Sequence, residues 1–170
     1  VFSVRPMDCF PKEARERVIR VIAPFEIFDT TGSGLARWQT LAEAALQNPQ
    51  VAAAAPFVAA QALLARGEDM HGVMVRGISP AEEATVTPLA AQLKDTVLTK
   101  LQPGAWGVVL GTQLARSMGV VEGDSVTLVT PSGQTTPAGV VPRLKQMTVV
   151  GVFNAGHYEY DSGLVLMHID

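Results

Sequence analysis

The sequence predicts a mixed α+β fold, with an α/β piece over residues 1–66 and a β-rich piece over residues 67–170 that carries a projecting hairpin arm. Three observations lead there. Helical spacing is concentrated in the first fifty residues, whereas short alternating segments bounded by Gly and Pro turns dominate the rest. The stretch from Pro131 to Pro142, set between two strand-like segments, holds three prolines, two glycines and no charge. Such a segment is stiff and cannot lie in the middle of a sheet.

The elements follow in order. Lys12 to Arg20 pairs Lys12 with Glu16, Glu13 with Arg17 and Glu16 with Arg20 at four-residue spacing, the solvated face of a helix that Pro24 stops. Phe25 to Phe28 reads as a short strand, and Thr30 to Gly34 as a loop in which Ser33 caps the next helix. Leu35 to Gln47 is helical, with Trp38, Leu41, Ala45 and Leu46 on one side, and Asn48-Pro49 ends it. Val51 to Ala65 reads as a long strand kinked at Pro56, turned by Arg66 to Asp69 into a second strand, Met70 to Ile78. A short helix is expected around Leu89 to Leu93, a strand over Trp106 to Leu110, and a helix over Thr112 to Met118 closed by Gly119. Glu122-Gly123-Asp124 turns into a strand over Ser125 to Thr130. Arg143 to Asn154 follows as a strand with Met147, Val149, Gly151 and Phe153 on one side, and a last strand comes after His157 to Asp161.

Composition excludes several function classes. A net charge of −3, with no basic run interleaved with aromatics, has the wrong sign for a nucleic-acid binder. Cys9 is the only cysteine, so no intrachain disulfide or cysteine-rich metal site is possible. No stretch reaches the roughly 18–20 apolar residues of a membrane-spanning helix. The abrupt apolar opening, Val1 to Val4, and the closing strand-like run, Leu164 to Asp170, lead us to expect a piece of a longer protein.

Candidate chemistry is sparse. Thr31-Gly32-Ser33-Gly34 precedes a helix but lacks the third glycine of a dinucleotide fingerprint, and the chain has no Gly-Lys-Ser/Thr. Of the three histidines, His71, His157 and His168, the first and last lie in predicted strands, each without a nearby His or Cys, and no catalytic residue, metal or cofactor is assigned to this domain. His157-Tyr158-Glu159-Tyr160-Asp161 is the densest cluster of reactive types; on a strand, Glu159 and Asp161 would share a face as a carboxylate pair for a hydrolase. The same cluster is also an ordinary strand entrance, and this reading is preferred. Glu82-Glu83 reads as solvated, and Trp38 and Trp106 as core.

The arm is the one segment with unusual physics. Its prolines reduce the freedom lost on docking, its tip carries Val140 and Val141, and its base carries Arg143 and Lys145 with no acid in the segment. This composition suits apolar insertion into a partner with electrostatic registration at the rim. A tolerated surface loop is the competing reading.

The run Trp106 to Leu128 (WGVVLGTQLARSMGVVEGDSVTL) resembles the periplasmic core of MacB-type ABC transporters. Val51 to Val58, Val73 to Ile78, the arm continuing into Thr148 to Phe153, and Tyr158 to Gly163 resemble the LolC/LolE-type lipoprotein-releasing permeases within that superfamily. The resemblance implies a domain of the bacterial inner membrane that stands in the periplasm. Residues 1–20 would extend a transmembrane helix, 21–66 would be the first half of a Porter-like subdomain, and 67–170 a Sabre-like subdomain with its hook arm at 131–147. A second β-α-β unit, beyond this sequence, would complete the Porter-like part. It further implies a hook, Pro137, Ala138, Gly139, Val140, Val141 and Pro142, that enters a LolA-type lipoprotein carrier, beside a basic pad of Arg143 and Lys145. A LolD-type ATP-binding subunit, a second permease subunit and lipoprotein substrates complete the implied partners. The alternative is a MacB-like efflux or secretion domain that docks a membrane-fusion protein.

Overall fold

The computed structural model describes residues 26–28, 34–35, 37–86, 95–136 and 139–170, with the backbone alone for 95–96, 131–136 and 139–141. The expected helix at Lys12 to Arg20, the loop at Thr30 to Ser33 and the helix at Leu89 to Leu93 lie outside the described residues, as do Cys9, Pro137 and Ala138.

Among the described residues, six strands form one closed barrel. They are β1 (Phe57–Arg66), β2 (Asp69–Ile78), β3 (Gly107–Gly111), β4 (Ser125–Thr136), β5 (Gly139–Phe153) and β6 (Leu164–His168), ordered β1-β2-β6-β3-β5-β4 with β4 closing on β1. Closure removes the open edges that would recruit another chain. Only the β2–β6 and β3–β5 pairs are parallel. The helices are α1 (Trp38–Leu46), α2 (Pro80–Val86), α3 (Asp95–Leu98), α4 (Thr112–Ser117) and α5 (Tyr158–Gly163).

The first hairpin follows from its sequence: Gly67 takes φ +60°, and β1 and β2 pair continuously from Arg66↔Asp69 to Phe57↔Ile78. The division expected at residue 66 therefore falls on a turn within the barrel, and β1 is bonded to both β2 and β4. The strand begins only after Pro56, because proline brings no N–H to the ladder. Residues 26–28 are not in a strand, contrary to expectation. Glu26 meets the buried Arg76 at 3.2 Å, and the Arg76 guanidinium covers the Phe57 ring at 4.2 Å.

Two cores hold the barrel. Leu64, Val73, Val75, Leu110, Val126, Met147 and Val149 fill its interior, and Ile78, Leu98, Leu101, Val109, Phe153 and Leu166 pack on one outer flank. Every residue of β3 is buried, as expected of a strand covered on both faces. Met147, Val149, Gly151 and Phe153 are all buried, but not on one side. The register shifts between Val108↔Val149 and Val109↔Gly151, and this bulge sends Met147 and Val149 inward and Phe153 to the outer core.

The expected helix closed by Gly119 is α4. Gly119 (φ +61°) donates to Arg116 O at 3.1 Å and Val120 to Ala115 O at 2.9 Å, the paired bonds of a Schellman cap. Leu114 and Ala115 plug the inner core from that end. Three other expectations are corrected. Glu83, expected to be solvated, is buried at 2 % exposure in a helix that Pro80 opens, as proline favours a first helical position. No residue of α1 is buried, although Trp38 is half-covered. His157 to Asp161 enters α5, not a strand.

A candidate partner-docking arm

The Pro-rich segment is part of the strands rather than a loop between them. β4 runs on to Thr136 and β5 starts at Gly139, with Gln134↔Val141, Thr135↔Val140 and Thr136↔Gly139 in register. β4 leaves β1 after Val129, and β5 meets β3 only from Thr148, so residues beyond those points pair with each other alone. At about 3.3 Å per residue, Thr130 to Thr136 carries the arm roughly 20 Å past the barrel. The register shifts between Thr130 and Gln134, where Pro131 stands on one strand and Pro142 opposite. A bulge is where a strand tolerates proline, and this explains why the paired segment outruns the expected end at Thr130.

Among the implied hook residues, the backbone of Gly139, Val140 and Val141 forms the start of β5 and Pro142 is exposed; Pro137 and Ala138 lie outside the described residues. Arg143 and Lys145 are both exposed and stand two apart on β5, hence on one face. Lys145 lies opposite Leu128, which points into the barrel, so this is the arm's inner face, above the barrel mouth. Leu144, between them, turns outward and is 67 % exposed. Among the described residues, neither cation pairs with a carboxylate. Lys145 Nζ instead sits 3.8 Å from the centre of the Trp106 ring.

Sequence reasoning missed Trp106. It is 44 % exposed rather than core, and its φ of +52° makes it the sole non-glycine residue with positive φ among those described. The preceding Pro103-Gly104 turn was the available signal, since a tight turn just before a strand displaces the residue that joins them.

The rival carboxylate pair does not form. Glu159 and Asp161 lie on α5, where residues two apart do not face one another. Asp161 is buried and accepts the Ala155 N–H at 2.6 Å, while Glu159 is exposed. Burial, with Glu159 and Glu26 adding and Arg76 opposing, raises the Tyr160 hydroxyl above its ordinary pKa. A polar cleft of about 500 Å³ lined by His71, Gln113, Arg116, Ser117, Tyr158 and Ser162 opens at the barrel end away from the arm. Its serines donate to the carbonyls of Leu114 and Glu159, not to a general base. Among the described residues, no three His, Cys, Asp or Glu side chains gather as a metal site.

Comparisons with known proteins assign the chain to a family. The family model of the MacB-like periplasmic core domain matches residues 10–169. The chain is 41 % identical over 165 residues to the lipoprotein-releasing system transmembrane protein LolC of Neisseria meningitidis, covering 96 % of this chain and 39 % of that protein. It is 38 % identical over 170 residues to LolC of Xylella fastidiosa, covering 100 % of this chain and 41 % of the relative. A LolE of Haemophilus influenzae is 28 % identical over 132 residues, covering 76 % of this chain and 32 % of that protein. The chain thus spans about two fifths of the length of the LolC relatives it matches. With a family match over nearly its whole length, the chain belongs to the MacB-like periplasmic core domain family.

Proposed function

We propose that this chain is the periplasmic domain of a lipoprotein-releasing ABC transporter permease in the bacterial inner membrane. Its β4–β5 arm docks the soluble lipoprotein carrier of the periplasm. The observation that carries the docking role is the arm itself: a paired, proline-bearing hairpin leaving a closed barrel, with two cations on one face of its base that meet no carboxylate among the described residues. A paired hairpin loses little freedom on docking, so more of the contact energy appears as affinity. Arg143 and Lys145 set the approach and register of an acidic carrier rim, while the hook residues 137–142 enter its apolar interior. Leu144, exposed beside them, adds apolar area.

The names of the LolC and LolE relatives support the lipoprotein-releasing assignment. In this reading the domain binds no cofactor of its own. An ATP-binding subunit and a second permease subunit supply the driving motion, and the barrel relays it as a stiff body toward the carrier. The test uses the complete permease complex in membrane vesicles with residues 135–142 replaced by a two-residue turn. ATP hydrolysis continues while lipoprotein transfer to the carrier is lost. Undiminished transfer would refute the docking role.

A further inference from the structure

We infer that Trp106 is a docking residue at the base of the arm. Its ring holds the Lys145 ammonium in place and, together with it, meets a carboxylate-bearing protein surface. This inference rests on the docking role proposed above.

The first ground is the backbone. A bulky aromatic at φ +52° is a strained placement that the surroundings must impose. They do so from both sides. Gly104 at φ +71° and the Ala105 N–H to Gln102 O bond of 3.2 Å fix the turn before Trp106. After it, the Trp106 carbonyl accepts the Thr148 N–H at 3.1 Å, and Gly107 is already buried in β3. The strain does not serve burial, because the ring stays 44 % exposed at the barrel mouth. It serves placement, putting an indole under the one face of β5 that carries both pad cations.

The second ground is chemical. Among the described residues, Lys145 is held by a ring at 3.8 Å and not by a carboxylate. A cation–π contact orients the ammonium without neutralising it, so the charge remains available to a partner's acids. Arg143 lies two residues along the same face. Trp and Arg are the side chains most enriched where interfaces concentrate their binding energy, and here they stand together with a pre-oriented lysine. The complement of such a patch is acidic with an apolar centre.

The experiment uses this chain carrying Trp38→Phe, which leaves Trp106 as the only tryptophan, and the purified lipoprotein carrier. Trp106 emission should shift and saturate along the same isotherm as calorimetric binding. Trp106→Leu should weaken binding about tenfold, with Trp106→Phe retaining most of it because a ring survives. Lys145→Gln combined with Trp106→Leu should weaken binding by less than the product of the single effects. An unchanged emission at saturating carrier overturns the inference even if the leucine variant fails to fold. Parent-like affinity of Trp106→Leu, with binding lost on shortening the arm, also overturns it while leaving the arm's role intact. Parent-like affinity in every variant, the shortened arm included, overturns both.

Discussion

Replacing Gly111 with alanine would put a methyl group where the backbone of Asp161 already lies. A Cβ built on Gly111 meets the Asp161 carbonyl oxygen at 2.3 Å, its carbon at 2.6 Å and its Cα at 2.7 Å. Carbon–oxygen contacts settle near 3.3–3.6 Å, so the two backbones must part by about 1 Å. β3 cannot yield, because it is buried throughout and bonded to β5 and β6 on either side. α5 must move, and with it the Asp161 carboxylate that accepts the Ala155 N–H. Overpacking of this kind costs about 1–3 kcal/mol, and a buried polar group left unpaired costs about 1–3 kcal/mol more. The expected destabilisation is therefore roughly 2–6 kcal/mol. Equilibrium urea unfolding followed by circular dichroism measures it. Gly72→Ala is the control: nothing lies within 4 Å of its Cβ and its backbone is ordinary, so it should lose no stability and should gain at most about 1 kcal/mol from the lower entropy of the unfolded chain. A Gly111→Ala chain within about 0.5 kcal/mol of the parent would refute the packing argument.

Three further predictions concern the outer wall. Tyr160 holds its proton more tightly when folded, so its share of stability is intact below pH 10, the ordinary tyrosine value, and declines as pH rises through and above it; a phenolate absorbance titration of the Tyr158→Phe chain should place Tyr160 above that value. Glu26→Gln strips Arg76 of its carboxylate partner, but Glu26 is 38 % exposed and water can replace it, so the loss should be about 1 kcal/mol by urea unfolding. Arg76→Ala should cost more than Glu26→Gln, since it also removes the guanidinium packed on Phe57.

Local chemistry was the part of the fold open to sequence reasoning. Gly67 and Gly119 sit where glycine's left-handed conformation is used, so the β1–β2 hairpin and the α4 cap were predictable. Barrel closure was not, because the β1–β4 and β3–β6 pairings join distant segments and leave no local signal. The bulge that splits Met147 and Val149 from Phe153 hides inside the continuous apolar run Val149-Val150-Gly151-Val152-Phe153, which carries no alternation to mark it. At the arm, the prolines and the cations Arg143 and Lys145 were legible from composition. The hairpin itself was expected; that its strands pair on through the prolines to Thr136 and Gly139 was not, since prolines argue against strands unless a bulge receives them. The acidic cluster misled for the opposite reason: Glu159 and Asp161 at alternate positions mimic a strand, yet they open a helix, where acids favour the N-terminal turn.

The most direct test of the docking role is equilibrium binding of the purified lipoprotein carrier to this chain, with the arm intact and with residues 135–142 replaced by a two-residue turn. The account predicts saturable binding to the intact chain that weakens with added salt, as expected for a charged rim. It also predicts loss of binding to the shortened chain while its unfolding midpoint is unchanged. Equal affinity of the two folded chains for the carrier would contradict it.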